Sequence, residues 1–213
     1  MRDRSAIVNP GGTCVLAAVV AVTALAAVVL GFEALLGLLL RLLAAPGVVV
    51  HELAHEAACR LVGVPVLEVK YFGLGDPPGY VRHGQPDRYR ESFVISVAPF
   101  LVNTVVAFGC FVGLATIVAG VDGIGDAPRS TVAAAAVLGW LGLAIGTQAF
   151  PSTGDARTLW NRSRAEWRRS PSVLVGVPIV AVIYLANLLS RLWADVAYAA
   201  ALFVAAAWTV GLG

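Results

Sequence analysis

Between Thr13 and Val50 the only charged side chains are Glu33 and Arg41. One bilayer crossing needs roughly 20 mostly apolar residues. In hydrocarbon every backbone polar group must find its partner within the chain, so such a run must be helical. Further apolar runs begin near Ser92, Thr131, Ser172 and Trp193. Composition agrees: 13% of residues are charged and 59% hydrophobic, where a soluble domain carries roughly 25% charged. The expectation is an all-α membrane protein of about six transmembrane helices with one small cytoplasmic β-hairpin. It forms a single membrane domain over residues 1–213.

The expected spans are Thr13–Gly31, Ala34–Val62 with a kink or break at Pro46, Ser92–Ala119, Thr131–Phe150, Ser172–Leu189 and Trp193–Gly211. The last two make a C-terminal helical hairpin (171–213) around Ser190-Arg191. Glu33–Ala45 reads either as the start of a long tilted span or as a re-entrant piece. Met1-Arg2-Asp3-Arg4 before an apolar stretch resembles a signal peptide, with Ala24-Leu25-Ala26 imitating a cleavage site. The apolar run continues well past it, so an uncleaved first span is expected.

Basic residues orient the bundle. The chain has fifteen. With the N-terminus inside, twelve of them fall on the cytoplasmic side: Arg2, Arg4, Arg60, Lys70, Arg82, Arg88, Arg90, Arg157, Arg162, Arg164, Arg168 and Arg169. Arg129 and Arg191 fall outside, and Arg41 lies within a span. This bias puts the N-terminus and both long loops, Val64–Arg90 and Pro151–Ser170, in the cytoplasm. The net charge of +2 is too small to argue for nucleic acid as a partner. Cys14, Cys59 and Cys110 all sit in apolar segments, which argues against a disulfide framework or a cysteine zinc site.

Within the second span stands His51-Glu52-Leu53-Ala54-His55. Residues four apart share one helix face, so two imidazoles there can hold one zinc ion. Glu52 points about 100° around the helix from His51. It can take the proton from the water that zinc activates without itself ligating. The alternative is a chance pattern whose glutamate caps or pairs elsewhere. Ionisable groups at membrane depth are costly and mark functional sites, which favours the metal. His51 lies about 17 residues, roughly 25 Å, into a span entered from outside, which places it toward the cytoplasmic side.

A catalytic zinc site takes three protein ligands and leaves one position open. Asp155, in Phe150-Pro151-Ser152-Thr153-Gly154-Asp155, is the best third ligand. Pro151 ends the preceding helix and Gly154 permits a turn that aims the carboxylate inward. The alternative is a loop aspartate capping Ala156–Trp160. Cys59 shares the face of His55; as a fourth ligand it would close the site, and ordinary packing is the other reading. Asn103 either hydrogen-bonds a substrate backbone or fixes helix packing. Gln148 reads as polar glue between helices. His83 is expected to be solvated, and Asp195 to lie near the outer interface.

Three pieces in order resemble the site-2 protease family of intramembrane zinc metalloproteases. They are His51–His55 on a span, Ala98-Pro99-Phe100-Leu101-Val102-Asn103 like the family's G-P-x-x-N element, and Gln148-Ala149-Phe150-Pro151 with Asp155 beyond, like its N-x-x-P…L-D-G element. The resemblance covers a catalytic core over residues 45–160. It implies His51, His55 and Asp155 as zinc ligands and Glu52 as the base, with Pro99, Asn103 and Gln148 as substrate-binding or supporting residues. Glutamine replaces the usual asparagine before Pro151, and Gly154-Asp155-Ala156 replaces the Leu-Asp-Gly core. No PDZ domain fits in this length, so a compact, divergent member is implied.

In the loop over residues 64–90, Leu67, Val69 and Tyr71 alternate with Glu68, Lys70 and Phe72, ahead of the turn-rich Gly73–Gly79. This predicts a β-hairpin at the membrane surface. Its edge could hold an extended peptide by strand addition, or the hairpin could simply cover the bundle. The combined expectation is a zinc-dependent intramembrane endopeptidase. Its partners are the lipid bilayer and a membrane protein cleaved in a transmembrane or membrane-proximal segment. A non-catalytic zinc-binding membrane protein, regulator or transporter, is the alternative. A prenyl-protein-type zinc protease ranks lower, because no later span offers a glutamate ligand.

Overall fold

The computed structural model describes residues 10–121, 123, 125, 127–166, 173–190 and 193–212. Arg2, Arg4, Arg168, Arg169 and Arg191 of the charge argument, and Ser172 at the start of the fifth expected span, lie outside the described residues. The elements are α1 (Pro10–Val62), β1 (Val66–Lys70), β2 (Tyr80–His83), α2 (Tyr89–Ala119), α3 (Arg129–Gly146), α4 (Thr153–Glu166), α5 (Val173–Ser190) and α6 (Ala194–Thr209). The chain is mostly helical with one two-stranded sheet. Among the described residues three helices are long and apolar enough to cross a membrane: α1 over Val19–Val62, α2 and α3. The other two expected spans correspond to shorter apolar stretches, Gly176–Leu185 in α5 and Ala194–Thr209 in α6.

The chain divides into two units, Met1–Leu42 and Leu43–Gly213. In the first, side chains such as Val22, Leu25, Val28 and Phe32 are exposed. The turn expected between the first two spans does not form: Phe32-Glu33 is helical. No proline lies there, and an isolated glycine such as Gly31 is tolerated inside a helix. The apolar stretch Val19–Val62 nevertheless holds 44 residues, about twice the length one crossing requires.

In the second unit α2 and α3 run antiparallel: Asn103 meets Ile145, and a Cβ on Gly142 would lie 2.6–2.9 Å from the Phe111 ring. Helix α6 runs parallel to α2, with Tyr198 against Phe100 and Phe203 against Phe111. Small residues let these helices approach closely, as in membrane bundles generally. Ala107, Phe111, Ile145 and Ala206 form their shared core. The last turns of α1 join the same unit. Trp140 donates its indole N–H to the Leu43 carbonyl at 2.9 Å. A Cβ on Gly47 would strike the carbonyl of Ala144, so only glycine allows α1 and α3 to come this close.

The predicted hairpin forms. β1 and β2 pair antiparallel, with Glu68 opposite Arg82, Val69 opposite Val81 and Lys70 opposite Tyr80, and an irregularity between Val66 and Glu68. The Glu68 carboxylate accepts from Tyr80 and from Arg82 across the pair. A second anchor ties the hairpin to α1: buried Glu56 accepts from the Tyr71 hydroxyl and from Arg60 one turn on. Ala58, Cys59, Val64 and Ile95 pack beneath it.

The segment expected to be a long loop, Pro151–Ser170, contains the helix α4. Ala156, Leu159 and Ser163 form its buried face. Leu159 packs with Tyr89, Val173 and Val180, the Ser163 hydroxyl donates to Tyr89 at 3.1 Å, and Arg162 donates to the Pro86 carbonyl at 2.8 Å. α4 is thereby docked on the start of α2, which sets the position of its first turn.

Candidate metal centre

Two helical turns and one helix start build the site. His51 and Glu52, with His55 one turn on, lie on α1 and are less than 10% exposed. The histidine rings meet edge to face with centroids 4.9 Å apart. His55 Nε2 lies 3.5 Å from Asp155 Oδ1. One ligand atom from each of His51, His55 and Asp155 can be chosen so that all lie within 4.8 Å of one another. This group could hold a metal ion.

The donor set fits a small dication. His51 Nδ1–H donates to the Gln148 carbonyl at 2.8 Å, and His55 Nδ1–H donates to the Ile95 carbonyl at 2.9 Å. With both Nδ1 atoms engaged, Nε2 is the nitrogen each ring has left for a metal, and on His55 it faces the Asp155 carboxylate. Such outer hydrogen bonds select the ligating tautomer and hold the ring. Ligands at ~2.0 Å around a tetrahedral ion stand ~3.3 Å apart, close to the His55–Asp155 spacing.

Asp155 serves two purposes with one carboxylate. Its Oδ2 accepts from the Ser152 N–H at 2.8 Å and the Ser152 hydroxyl at 2.6 Å, while its own N–H donates to Ser152 Oγ at 3.1 Å. This is a reciprocal cap at the start of α4. The other oxygen, Oδ1, faces His55. The capping and ligand readings of the sequence were posed as alternatives, and the geometry accommodates both. Burial opposes the charge on Asp155, but His55 and the Ser152 hydrogen bond outweigh it and hold the carboxyl below its ordinary range.

The group opens into a cleft of about 460 Å³. Glu52 lines it between the histidines. Gly79, at the end of the hairpin turn, packs over Glu52: a Cβ there would come within 2.8 Å of the glutamate Cγ and 2.9 Å of Val48. Tyr80, Val81 and His83 of β2 form part of the wall.

Other sequence-predicted residues fall into place around this group. Asn103 is fully buried and donates through Nδ2 to the carbonyls of Gly47, Ile145 and Gln148 at 3.0–3.3 Å. It thereby ties α1, α2 and the end of α3 together, and it is not among the residues that line the cleft. Gln148 acts through its main chain: one carbonyl receives both His51 and Asn103. Pro99 is buried within α2. Cys59 is fully buried in the packing under the hairpin and is not part of the metal group.

Two expectations need correction. His83 is not simply solvated: it is half-buried in the cleft wall, because β2 lays it there. Asp195 was placed at the opposite level by counting α5 as a full crossing. Because α6 runs parallel to α2, it starts at the site end, and Asp195 lines the same cleft. The anchor of Glu56, Tyr71 and Arg60 was missed, although the i,i+4 pair Glu56–Arg60 was a readable signal.

No family model, no curated protein and no solved structure matches the chain.

Proposed function

We propose that the chain is a zinc-dependent intramembrane endopeptidase of the site-2 protease kind, acting on transmembrane or membrane-proximal protein segments. One observation carries the reading. Both histidines have Nδ1 engaged on a backbone carbonyl, His55 Nε2 faces the Asp155 carboxylate, one ligand atom from each of the three lies within 4.8 Å of the others, and Glu52 lines the same cleft. Zinc held there would supply Lewis acidity, lowering the pKa of water and polarising a peptide carbonyl. Glu52 takes the proton from the attacking water and delivers it to the departing amide nitrogen. The Gly79 turn over Glu52 limits access of bulk water to that carboxylate. The β2 edge in the cleft wall offers backbone partners for an extended peptide.

The topology belongs to the same reading. Arg60, Lys70, Arg82, Arg88 and Arg90 around the hairpin, with Arg157, Arg162 and Arg164 of α4, favour the cytoplasmic side for these two segments. The rival, a non-catalytic zinc-binding membrane protein, draws on His83 and Asp195, which extend the ionisable groups beyond the three ligands. One experiment separates the two. Purified protein is incubated with a panel of transmembrane peptides, with and without chelator, alongside Glu52→Gln. Cleavage that needs metal and disappears in Glu52→Gln, with zinc content unchanged, supports the peptidase. Full cleavage by folded Glu52→Gln, or none by zinc-loaded wild type on any peptide, refutes it.

A further inference from the structure

Pro99 and Ile95 stand four residues apart in α2. In an unbroken helix the carbonyl of Ile95 accepts the N–H of residue 99. Proline has no N–H, so that carbonyl is released from the helix. It is taken up across forty residues of sequence by His55, whose Nδ1–H donates to it at 2.9 Å. Ile95 and Pro99 are both buried, so water cannot substitute for either partner.

We infer that Pro99 is a positioning residue for His55: its missing N–H keeps the Ile95 carbonyl open to the imidazole, holding Nε2 toward Asp155. The arrangement has a counterpart at the other histidine. Gln148 lies just past Gly146, the last residue of α3, and its carbonyl receives His51 at 2.8 Å. There a helix end releases the oxygen; in α2, where the helix runs on to Ala119, a proline does. The proposal rests on the metal-holding part of the reading above and not on peptidase chemistry.

Alanine at position 99 would return an N–H to the Ile95 carbonyl. That oxygen has two lone pairs, so the helix bond competes with His55 without fully displacing it. Loss of such an outer partner typically costs 10–100-fold in metal affinity, and competition points to the lower end, about tenfold. Stability should move the other way, because a proline inside a helix is unfavourable relative to alanine.

The test titrates Zn²⁺ into detergent-purified wild type and Pro99→Ala against a competing chelator, and measures the thermal midpoint of both without metal. The expected pair is an affinity about tenfold weaker with a midpoint unchanged or raised. An affinity within twofold of wild type overturns the assignment. So does a lowered midpoint with unaltered affinity, which is what a purely structural proline predicts. Pro178→Ala, in α5, is the control, and an equal loss of affinity there also overturns it. If Pro99→Ala does not fold, the imidazole ¹⁵N spectrum of metal-free wild type decides. At a pH where the rings are neutral, His55 must carry its proton on Nδ1, and the opposite tautomer refutes the proposal. No arm depends on cleavage, so failure of the peptidase reading leaves this test intact.

Discussion

Ser152→Ala separates the two duties of Asp155. Alanine removes two of the three hydrogen bonds in the cap, the hydroxyl to Oδ2 at 2.6 Å and the Asp155 N–H to Oγ at 3.1 Å. The third, from the Ser152 N–H to Oδ2 at 2.8 Å, survives. Loss of a serine cap costs ~1 kcal/mol of helix stability, a drop of ~2–4 °C in midpoint for a chain of this size. The carboxylate also loses one of its two orienting donors, so Oδ1 is held less firmly toward His55. An outer partner of a metal ligand is worth at least about tenfold in affinity, or ~1.4 kcal/mol. The variant should therefore bind zinc about tenfold more weakly and melt a few degrees lower. Ser152→Asn, which can still accept and donate at the cap, should recover most of both. Zinc titration against a chelator and a thermal melt on the same sample measure them. Undiminished zinc affinity in Ser152→Ala would refute the coupling of cap and ligand.

Two further outcomes are expected. Gly47→Ala pushes a methyl into the Ala144 carbonyl and forces α1 from α3; overpacking of this kind costs ~1–3 kcal/mol, so the midpoint should fall, and an unchanged melt would mean that the helices slide freely. Glu68 is held below its ordinary value of 4.5 by the Tyr80 and Arg82 hydrogen bonds. A depressed carboxyl stabilises above its unfolded pKa and ceases to as pH falls through the folded one. Hydrogen-exchange protection of β1 and β2 should accordingly drop below about pH 4.5 in wild type and lose that dependence in Glu68→Gln.

Parts of this architecture were legible because local rules set them. The i,i+4 histidines needed only helix geometry. The hairpin followed from alternation and a turn-rich stretch. Asp155 stood out because a proline and a glycine precede it, but the turn expected at Gly154 does not form: α3 ends at Gly146 and Gly154 is already helical in α4. α4 was hidden by its charge: arginines on its solvated face drown the apolar signal of Ala156 and Leu159, whose burial depends on Tyr89 and α5. The Ser152–Asp155 spacing was itself a readable cap. The acceptors that turn the two histidines were not legible. They are main-chain oxygens 40 and 97 residues away, and side-chain patterns carry no information about which carbonyl a distant ring will meet. The level of Asp195 was misread because its depth depended on the number of preceding crossings.

The acceptors also explain why an amide sits at position 103. Its nitrogen faces three carbonyls, from Gly47, Ile145 and Gln148, while its oxygen is buried with no partner among the described residues. The site thus retains a donor at the expense of a stranded acceptor. Two amide hydrogens serve three oxygens, each of which keeps another donor: the α1 helix for Gly47, the Gln148 N–H for Ile145 and His51 for Gln148. Asn103→Leu therefore strands no carbonyl and should cost only the two bonds, ~1–2 kcal/mol. Asn103→Asp is nearly isosteric but sets a carboxylate against three negative dipole ends. It must either bury that charge, at several kcal/mol, or take up a proton and offer one donor. The stability order should be Asn, then Leu, then Asp, with the two variants in the opposite order to what size and polarity alone suggest. Zinc affinity should weaken in both variants, because Gln148 loses a partner that steadies the oxygen holding His51. Thermal melts of the three proteins in one detergent at pH 8 test the order. An Asn103→Asp protein as stable as Asn103→Leu would show that the carbonyls do not converge on this side chain.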